Sequence, residues 1–499
     1  MSLIIQPEKC LPPFTRQSFK RQGLGTRHVG HEATKEDNCG SAPVQFVISE
    51  TCAVRLFDIE GRGVRRLLGL LGHCGKLHDN ENNMLGTPVN DGPSMRPNIP
   101  NLRQSSGDYD MFRRPPEDKK PVVLQILPAL VSGGVERGTI DVARALVEAG
   151  WDALVISAGG PMVHDLTRVG ARHIQHPLGS KNPLSWRQNF DWLVDVIHKE
   201  NVDIVHARSR MPAWISWRAA RKNKVPFVTT FHGRFPDTNP LKKLYNSVMV
   251  RGDRVIAISH FVAHEIETRF GTGSDKLRII PRGVNVDLFN PEGVSAERMI
   301  KLSREWRLPD GVPVIVMPGR ITRWKGHDVL IDALTKLGGQ PVHCIMAGSY
   351  EGKESYKAEL EEKIAKAGLS ASVMFSGSVA DMPCVYQIAD VVVSASIDPE
   401  PFGRVMIEAQ AMGRPIVATD HGGARESVIP NKTGFLVKPN DADALAEGIR
   451  TALALTAEQR AVVTETAVAH VREHYTTSDM CARTLSVYQE VLPLSPNAG

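Results

Sequence analysis

From Pro121 onward, short apolar runs alternate with helical stretches, and this alternation restricts the chain to one class of fold. VVLQIL (122–127) ends at Pro128 and reads as a buried parallel strand. A glycine-containing loop (131–134) follows. The spacing of Val135, Ile140, Ala143, Leu146 and Val147 then predicts a helix over 135–149, stopped by Gly150. ALVIS (153–157), DIVHA (203–207), PFVTTFH (226–232) and RVIAIS (254–259) continue the series, with helical stretches such as 189–200 and 211–222 between them. The pattern pauses between Val286 and Gly311, then restarts. Its second series is VIVMPG (314–319), HCIMAG (343–348), VMFSG (373–377), VVVSAS (391–396) and PIVAT (415–419), separated by helical runs at 355–366, 404–412 and 442–454. Such alternation implies a parallel sheet covered on both faces. Two series predict an α/β chain of two Rossmann-like parallel-sheet lobes facing across a cleft, with ligands outside the carboxyl ends of the strands. The expected divisions are a first lobe over 121–290, a second over 291–475 and a helical tail over 476–499. The mostly helical stretch 457–491 is expected to return and brace the first lobe.

Residues 1–120 show no sustained helical or strand period and are rich in Gly, Pro, Asn and Arg. That composition buries too little apolar surface to offset chain entropy, so a disordered extension is one reading. A translation start at Met84, Met95 or Met111 is the other. The seven cysteines, four of them at 10, 39, 52 and 74, form no CxxC pair, which points to reduced thiols and no zinc site. No stretch of about 18 uninterrupted apolar residues appears, and the first residues lack the pattern of a secretory signal. The expected location is the cytoplasm.

The net charge of +5 is uneven: roughly +3 over 1–120, +7 over 121–290 and −5 over 291–499. Arg208, Arg210, Arg218, Arg221, Lys222, Lys224, Arg234, Lys242 and Lys243 crowd into the first lobe. Such a face suits an anionic partner or an anionic membrane surface, or serves solubility alone. No nucleic-acid-binding motif accompanies the charge, so nucleic acid is not an expected partner.

Five segments carry candidate chemistry. SGGVE (132–136) sits between a strand and a helix, where Gly133 and Gly134 let backbone N–H groups approach an anion. GRITRWKG (319–326) places Arg320 and Lys325 just past a strand, a forked and a point cation suited to a diphosphate. DPEPFGRVMIEAQAMGRPIVAT (398–419) has Glu400 in a loop, Phe402 and Gly403 at a helix start, and Glu408 one turn into that helix. The helix start favours phosphate, Glu408 is able to accept both hydroxyl protons of a ribose, and Glu400 suits sugar hydroxyls or developing positive charge. TTFHG (229–233) ends a strand with His232, whose neutral imidazole suits a substrate oxygen or a proton shuttle. HGGARESV (421–428) frees the N–H groups of Gly422 and Gly423 beside the donor loop and leaves Glu426 without a role.

Together these segments resemble glycosyltransferase family 4, also called glycosyl transferases group 1, over about Pro121 to the C-terminus. The E-x7-E spacing is Glu400 and Glu408, the GRxxxxKG element holds Arg320 and Lys325, and PRGVNVDLF (281–289) resembles the family's interlobe segment. The chain reads GGVE where many relatives have GGAE, and PRGVN where many have NGVD. The resemblance implies a GT-B fold and a hexosyl transfer from a nucleotide diphosphate sugar with retained configuration. It assigns Arg320 and Lys325 to the donor pyrophosphate, Glu408 to the ribose, and Glu400 with the Phe402–Gly403 backbone to the sugar. Gly133, Gly134 and His232 would line the opposite lip. No metal or other cofactor is expected. The implied acceptor is a saccharide or a lipid-linked one, in envelope or lipopolysaccharide synthesis at the inner face of the membrane. Rival readings are a non-catalytic nucleotide-sugar-binding scaffold, or an epimerase or glucan synthase on the same fold. A NAD-dependent oxidoreductase is disfavoured, since no GxGxxG follows either leading strand.

Overall fold

The structure is a computed structural model that describes residues 120–131, 133–179, 184–235 and 239–492. The readings for the first 119 residues, with Cys10, Cys39, Cys52 and Cys74, lie outside the described residues, as does Ser132 of the glycine loop.

Two parallel sheets form two Rossmann-like lobes of a GT-B fold. The first has seven strands: β1 (Val122–Ile126), β2 (Asp152–Ser157), β3 (Arg172–Gln175), β4 (Ile204–Ala207), β5 (Phe227–Phe231), β6 (Arg254–Ala257) and β7 (Leu277–Ile279), in spatial order 3-2-1-4-5-6-7. The second has six: β8 (Val314–Pro318), β9 (His343–Ala347), β10 (Val373–Phe375), β11 (Val391–Ser394), β12 (Ile416–Thr419) and β13 (Gly434–Val437), in order 10-9-8-11-12-13. The leading strands β1 and β8 are buried along their whole length, as apolar runs covered on both faces must be. In each sheet the order reverses once, between β1 and β4 and between β8 and β11. Loops leaving the strands at such a reversal diverge and open a crevice.

The chain crosses between lobes twice, and the crossings run side by side. Val284 N–H donates to Tyr475 O at 2.8 Å and Thr477 N–H donates to Val284 O at 3.0 Å. Gly283 makes this approach possible, because a Cβ there would meet Thr476 O at 2.4 Å. Helix Ala457–His474 stays on the second lobe, where Thr464 Oγ1 donates to Gly413 O at 2.8 Å. Helix Thr477–Val491 returns to the first. Its Met480, Cys481, Val487, Tyr488 and Val491 join the apolar core built on β1, β2 and helix Gly134–Glu148. Tyr488 Oη lies 2.6 Å from His206 Nδ1, and Glu490 accepts from Arg254 Nε and Arg278 Nη2, both at 2.7 Å. Burial, with Arg208 beside it, pushes His206 well below 6.5, so this core imidazole is neutral.

Candidate functional site

In the second lobe, β8 runs into Gly319 and Arg320, and a short 3-10 turn, Arg323–Lys325, carries the second expected cation. Gly326 (φ +75°) ends that turn against β11's exit, where a Cβ would stand 2.0 Å from Ala395 O. The contact swings Lys325 over Gly319 and into the loop after β11. Its Nζ sits 2.6 Å from Glu400 Oε1. Ser396 Oγ donates to the same oxygen at 2.6 Å and Ser394 Oγ at 3.4 Å. Burial pushes the Glu400 carboxyl up, but Lys325 and the two hydroxyls outweigh it and hold it below 4.5. The two expected diphosphate cations therefore differ. Lys325 is committed to a buried carboxylate that needs a counter-charge, whereas Arg320 is exposed at the mouth. Arg323 turns away and pairs with Glu359 at 2.6 Å.

Phe402 is buried and Gly403 (φ +81°) caps helix Arg404–Ala411 with no side-chain acceptor. Its first turn thus lacks a side-chain cap, the arrangement in which N–H groups and helix dipole favour an anion. Glu408 faces inward and both of its oxygens are held: Tyr386 Oη donates to Oε2 at 2.8 Å, and Arg404 Nη2 to Oε1 at 2.7 Å. Each carboxylate oxygen has a further lone pair for a sugar hydroxyl. Tyr386 packs edge-on against Phe289 of the crossing segment, with ring centroids 5.9 Å apart.

Gly133, in a backbone conformation (φ 134°) that side chains rarely adopt, caps helix Gly134–Glu148 in the first lobe. Gly134 lies against Arg404 of the other lobe, where a Cβ would stand 3.6 Å from Arg404 Cδ. Burial raises the Glu136 carboxyl, while its own N–H and the charges of Arg320 and Arg282 pull it down. Arg320 is thus close enough to act across the cleft. His232 follows β5. Burial, then Arg282, Arg208 and His206, push its imidazole well below 6.5, and its Nε2 has no hydrogen-bond partner among the described residues. The next residue, Gly233, lies against Pro401, beside Glu400.

Eight of the nine expected site residues therefore stand on loops or helix starts at the carboxyl ends of strands, and Glu408 lies one turn into helix Arg404–Ala411. Gly134 lies beside Arg404, the charge of Arg320 reaches Glu136 in the helix that Gly133 caps, and Gly233, next to His232, lies against Pro401 in the Glu400 loop. Three features depart from the sequence reading. The N–H of Gly423 is not free, since it donates to Glu400 O at 2.8 Å and fixes the loop. Arg208 is not part of a surface patch, because it is buried and its Nε donates to Gln125 at 2.8 Å. Arg210 and Arg234 also have partners: Arg210 stacks 4.3 Å over Phe235, and Arg234 Nε lies 3.1 Å from Glu265. Arg221 is exposed but lies 3.7 Å from Asp253, while Lys222, Lys224 and Lys243 are exposed.

Sequence reasoning passed over Arg282, Arg404 and Tyr386. Arg282 lies in PRGVN, the segment that departs from the common pattern. It reaches back to donate to Gly134 O, with its guanidinium where a Gly138 side chain would be. Burial and the charges of Arg404 and Arg208 push it down to about 9. Among the described residues, no group of three or more His, Cys, Asp or Glu is placed to hold a metal ion, and no helix is long and apolar enough to cross a membrane.

Comparisons with known proteins agree with this architecture. The profile described as "Glycosyl transferases group 1" matches residues 299–469, and that of "Glycosyltransferase Family 4" matches residues 132–288. The crystal structure of a glycosyltransferase from Rickettsia africae ESF-5 is 40% identical, covers 75% of this chain and 100% of its own, and superposes with a TM-score of 0.71. Anabaena Alr3699/HepE in complex with UDP-glucose is 26% identical over 73% of this chain and 99% of its own, with a TM-score of 0.65. A D-inositol 3-phosphate glycosyltransferase from Xylanimonas cellulosilytica is 29% identical over 353 residues, 65% of this chain and 84% of that relative.

Proposed function

Because this chain belongs to glycosyltransferase family 4, the glycosyl transferases group 1, we propose that it moves a hexosyl group from a nucleotide diphosphate sugar to an acceptor hydroxyl with retained configuration. One observation carries this reading: Arg320, Lys325 paired to Glu400, and the open start of helix Arg404–Ala411 meet beside the β8/β11 reversal, opposite the glycine loop of the first lobe.

In this reading the diphosphate lies between Arg320 and the helix start, and the ribose hydroxyls donate to Glu408. Charge grows on the diphosphate as the bond from the anomeric carbon to the leaving oxygen breaks. Fixed cations and N–H dipoles stabilise that charge without reorganising. The sugar passes through an oxocarbenium-like state with Glu400 beneath it. The acceptor oxygen attacks on the face the diphosphate leaves, and its proton passes to the departing phosphate oxygen. His232, neutral and next to Gly233–Pro401, orients a hydroxyl of sugar or acceptor. Lobe closure keeps water from the activated donor. The protein's own residues supply this chemistry, and no metal is assigned a step.

The acceptor is proposed to be a saccharide or a lipid-linked saccharide of the cell envelope, as in lipopolysaccharide synthesis. The enzyme would work in the cytoplasm, at the inner face of an anionic membrane. The exposed Lys222, Lys224 and Lys243 of the first lobe support that placement. Liposome flotation with and without anionic lipid tests it, and absence of binding at every salt concentration removes it.

A melting-temperature panel of UDP-, GDP- and ADP-sugars tests the donor assignment, since a ligand that binds only the folded state raises the transition by linkage. One nucleotide series should stand out, and Arg320→Ala should abolish its shift. A uniform absence of shift, or a shift untouched by Arg320→Ala, contradicts the assignment.

A further inference from the structure

Glu426 has no part in the transfer as described, yet its carboxylate makes two hydrogen bonds between the lobes. It sits in the single helical turn Ala424–Ser427 of the second lobe, just after Gly422 and Gly423. Its side chain crosses to the first lobe and reaches the start of helix His260–Phe270. His260 N–H donates to Glu426 Oε2 at 2.7 Å, and Phe261 N–H donates to Oε1 at 2.6 Å. The first turn of any helix has N–H groups without intrahelical acceptors. Here Ser259 Oγ takes the third, from Val262, at 3.0 Å, so the other lobe supplies the acceptors for the first two. A carboxylate at a helix start also lies at the favourable end of the dipole.

The same residue is tied to the donor side. The Gly422–Gly423 turn lies flat on the Glu400 loop. A Cβ on Gly422 would stand 2.4 Å from Glu400 O, and one on Gly423 would stand 2.4 Å from Phe402 Cα. Gly423 N–H donates to Glu400 O at 2.8 Å. Ser259, the cap of the first-lobe helix, donates through Oγ to Pro401 O at 2.5 Å. Glu426 O accepts from Tyr475 Oη at 2.7 Å, and Tyr475 is the crossing residue whose carbonyl accepts from Val284. Through its side chain and backbone, Glu426 therefore touches the acceptor lobe, the seat of the donor loop and the crossing.

We infer that Glu426 is a positioning residue for the transfer: its carboxylate clasps the start of helix His260–Phe270 and so sets the acceptor lobe against the Glu400–Gly403 loop in the closed enzyme. The clasp forms only when the lobes meet, and its two charge-assisted hydrogen bonds favour the closed arrangement over the open one. Glu426→Ala removes both acceptors while leaving Arg320, Lys325, Glu400 and Glu408 in place. Glu426→Gln keeps one carbonyl oxygen and loses the charge. The inference rests on the transfer reading above, but its primary measurement does not require turnover.

Hydrogen exchange of the full chain, resolved to single amides, reads the clasp at His260 and Phe261, with the β1 amides as a folding control. In the wild type the two amides are protected, and UDP increases that protection. In Glu426→Ala they should exchange about tenfold faster or more, with Glu426→Gln between and β1 unchanged. UDP release from UDP-glucose should then fall about tenfold in kcat while the Kd for UDP moves by less than about threefold, the signature of an interaction made on closure and not on first binding. Unchanged exchange at the two amides in Glu426→Ala overturns the clasp. Faster exchange with an unchanged kcat overturns the positioning role and leaves a structural contact. A wild type indifferent to UDP and UDP-glucose counts against the donor assignment alone, because exchange in the free enzyme still reports the contact.

Discussion

Lys325 Nζ lies 2.6 Å from Glu400 Oε1, with the two side chains only 14% and 8% exposed. The cation proposed for the departing diphosphate and the carboxylate proposed for the sugar are thus one buried ion pair. Removing either partner leaves the other charged and uncompensated, a loss of about 3–5 kcal/mol for a fully buried pair. Lys325→Met and Glu400→Gln should each lower the melting temperature, and the double variant should lose less than the sum. A thermal double-mutant cycle measures the coupling, and additive losses contradict it.

The same pair sets a pH dependence. The folded Glu400 carboxyl lies below its unfolded value of 4.5, so its stabilising contribution is fully present above that value and is lost as pH falls through the lower folded pKa. Wild-type stability should decline as acid is added from about pH 5 downward. Glu400→Gln should decline less steeply over that window. Parallel curves in urea titrations at several pH values would remove this contribution.

Arg320 is exposed and has no part in the buried pair. Arg320→Ala should therefore leave stability within about 0.5 kcal/mol, as exposed substitutions usually do. Turnover should fall about a hundredfold or more, the usual effect of removing one preorganised charge from a transition state. Steady-state kinetics beside a melting curve separates the two effects, and a folded Arg320→Ala enzyme of near-normal kcat counts against the assignment.

Tyr386 places Glu408. Its hydroxyl donates at 2.8 Å, and its burial makes the donor hard to replace with water. Tyr386→Phe leaves a carboxylate oxygen short of a partner, at about 1–3 kcal/mol. The account expects weaker nucleotide affinity, read by calorimetry, with kcat at saturating donor nearly intact. A reduced kcat at unchanged affinity would place Tyr386 elsewhere in the cycle.

Gly283 marks where the crossings touch. Gly283→Ala would push a methyl group to within 2.4 Å of Thr476 O, which is backbone and cannot swing aside. A loss of about 1–3 kcal/mol is expected from such overpacking. Denaturant unfolding checks it, and a neutral substitution would mean that the crossings separate without cost.

Central strands and helices were legible in the sequence because burial on both faces leaves continuous apolar runs such as VVLQI and VIVMP. The strands at three sheet edges were not. RHIQ of β3 is partly exposed, LRI of β7 is three residues long, and GFLV of β13 begins with glycine. An edge strand is buried less completely, so it loses the apolar signature. The loops bearing Arg320, Glu400 and His232 were legible by their places after strands. What was not legible is what the lobes do to each other. Glu426 reaches His260 across 166 residues, and even within the second lobe Lys325 and Glu400 pair across 75. Periodicity carries no information on contacts of that length. Only a glycine pair followed by a carboxylate hinted at Glu426, and only the departure at PRGVN hinted at Arg282.

The central claim is that the second lobe grips a departing diphosphate with Arg320, Lys325 and the start of helix Arg404–Ala411. A crystal structure of the enzyme with UDP tests it most directly. The account predicts the distal phosphate within hydrogen-bond distance of the Arg320 guanidinium and the Lys325 ammonium, with N–H groups of the Gly403–Arg404 segment on its oxygens and the ribose on Glu408. UDP seated elsewhere, or its phosphates turned to solvent with Arg320 and Lys325 unengaged, would contradict the account.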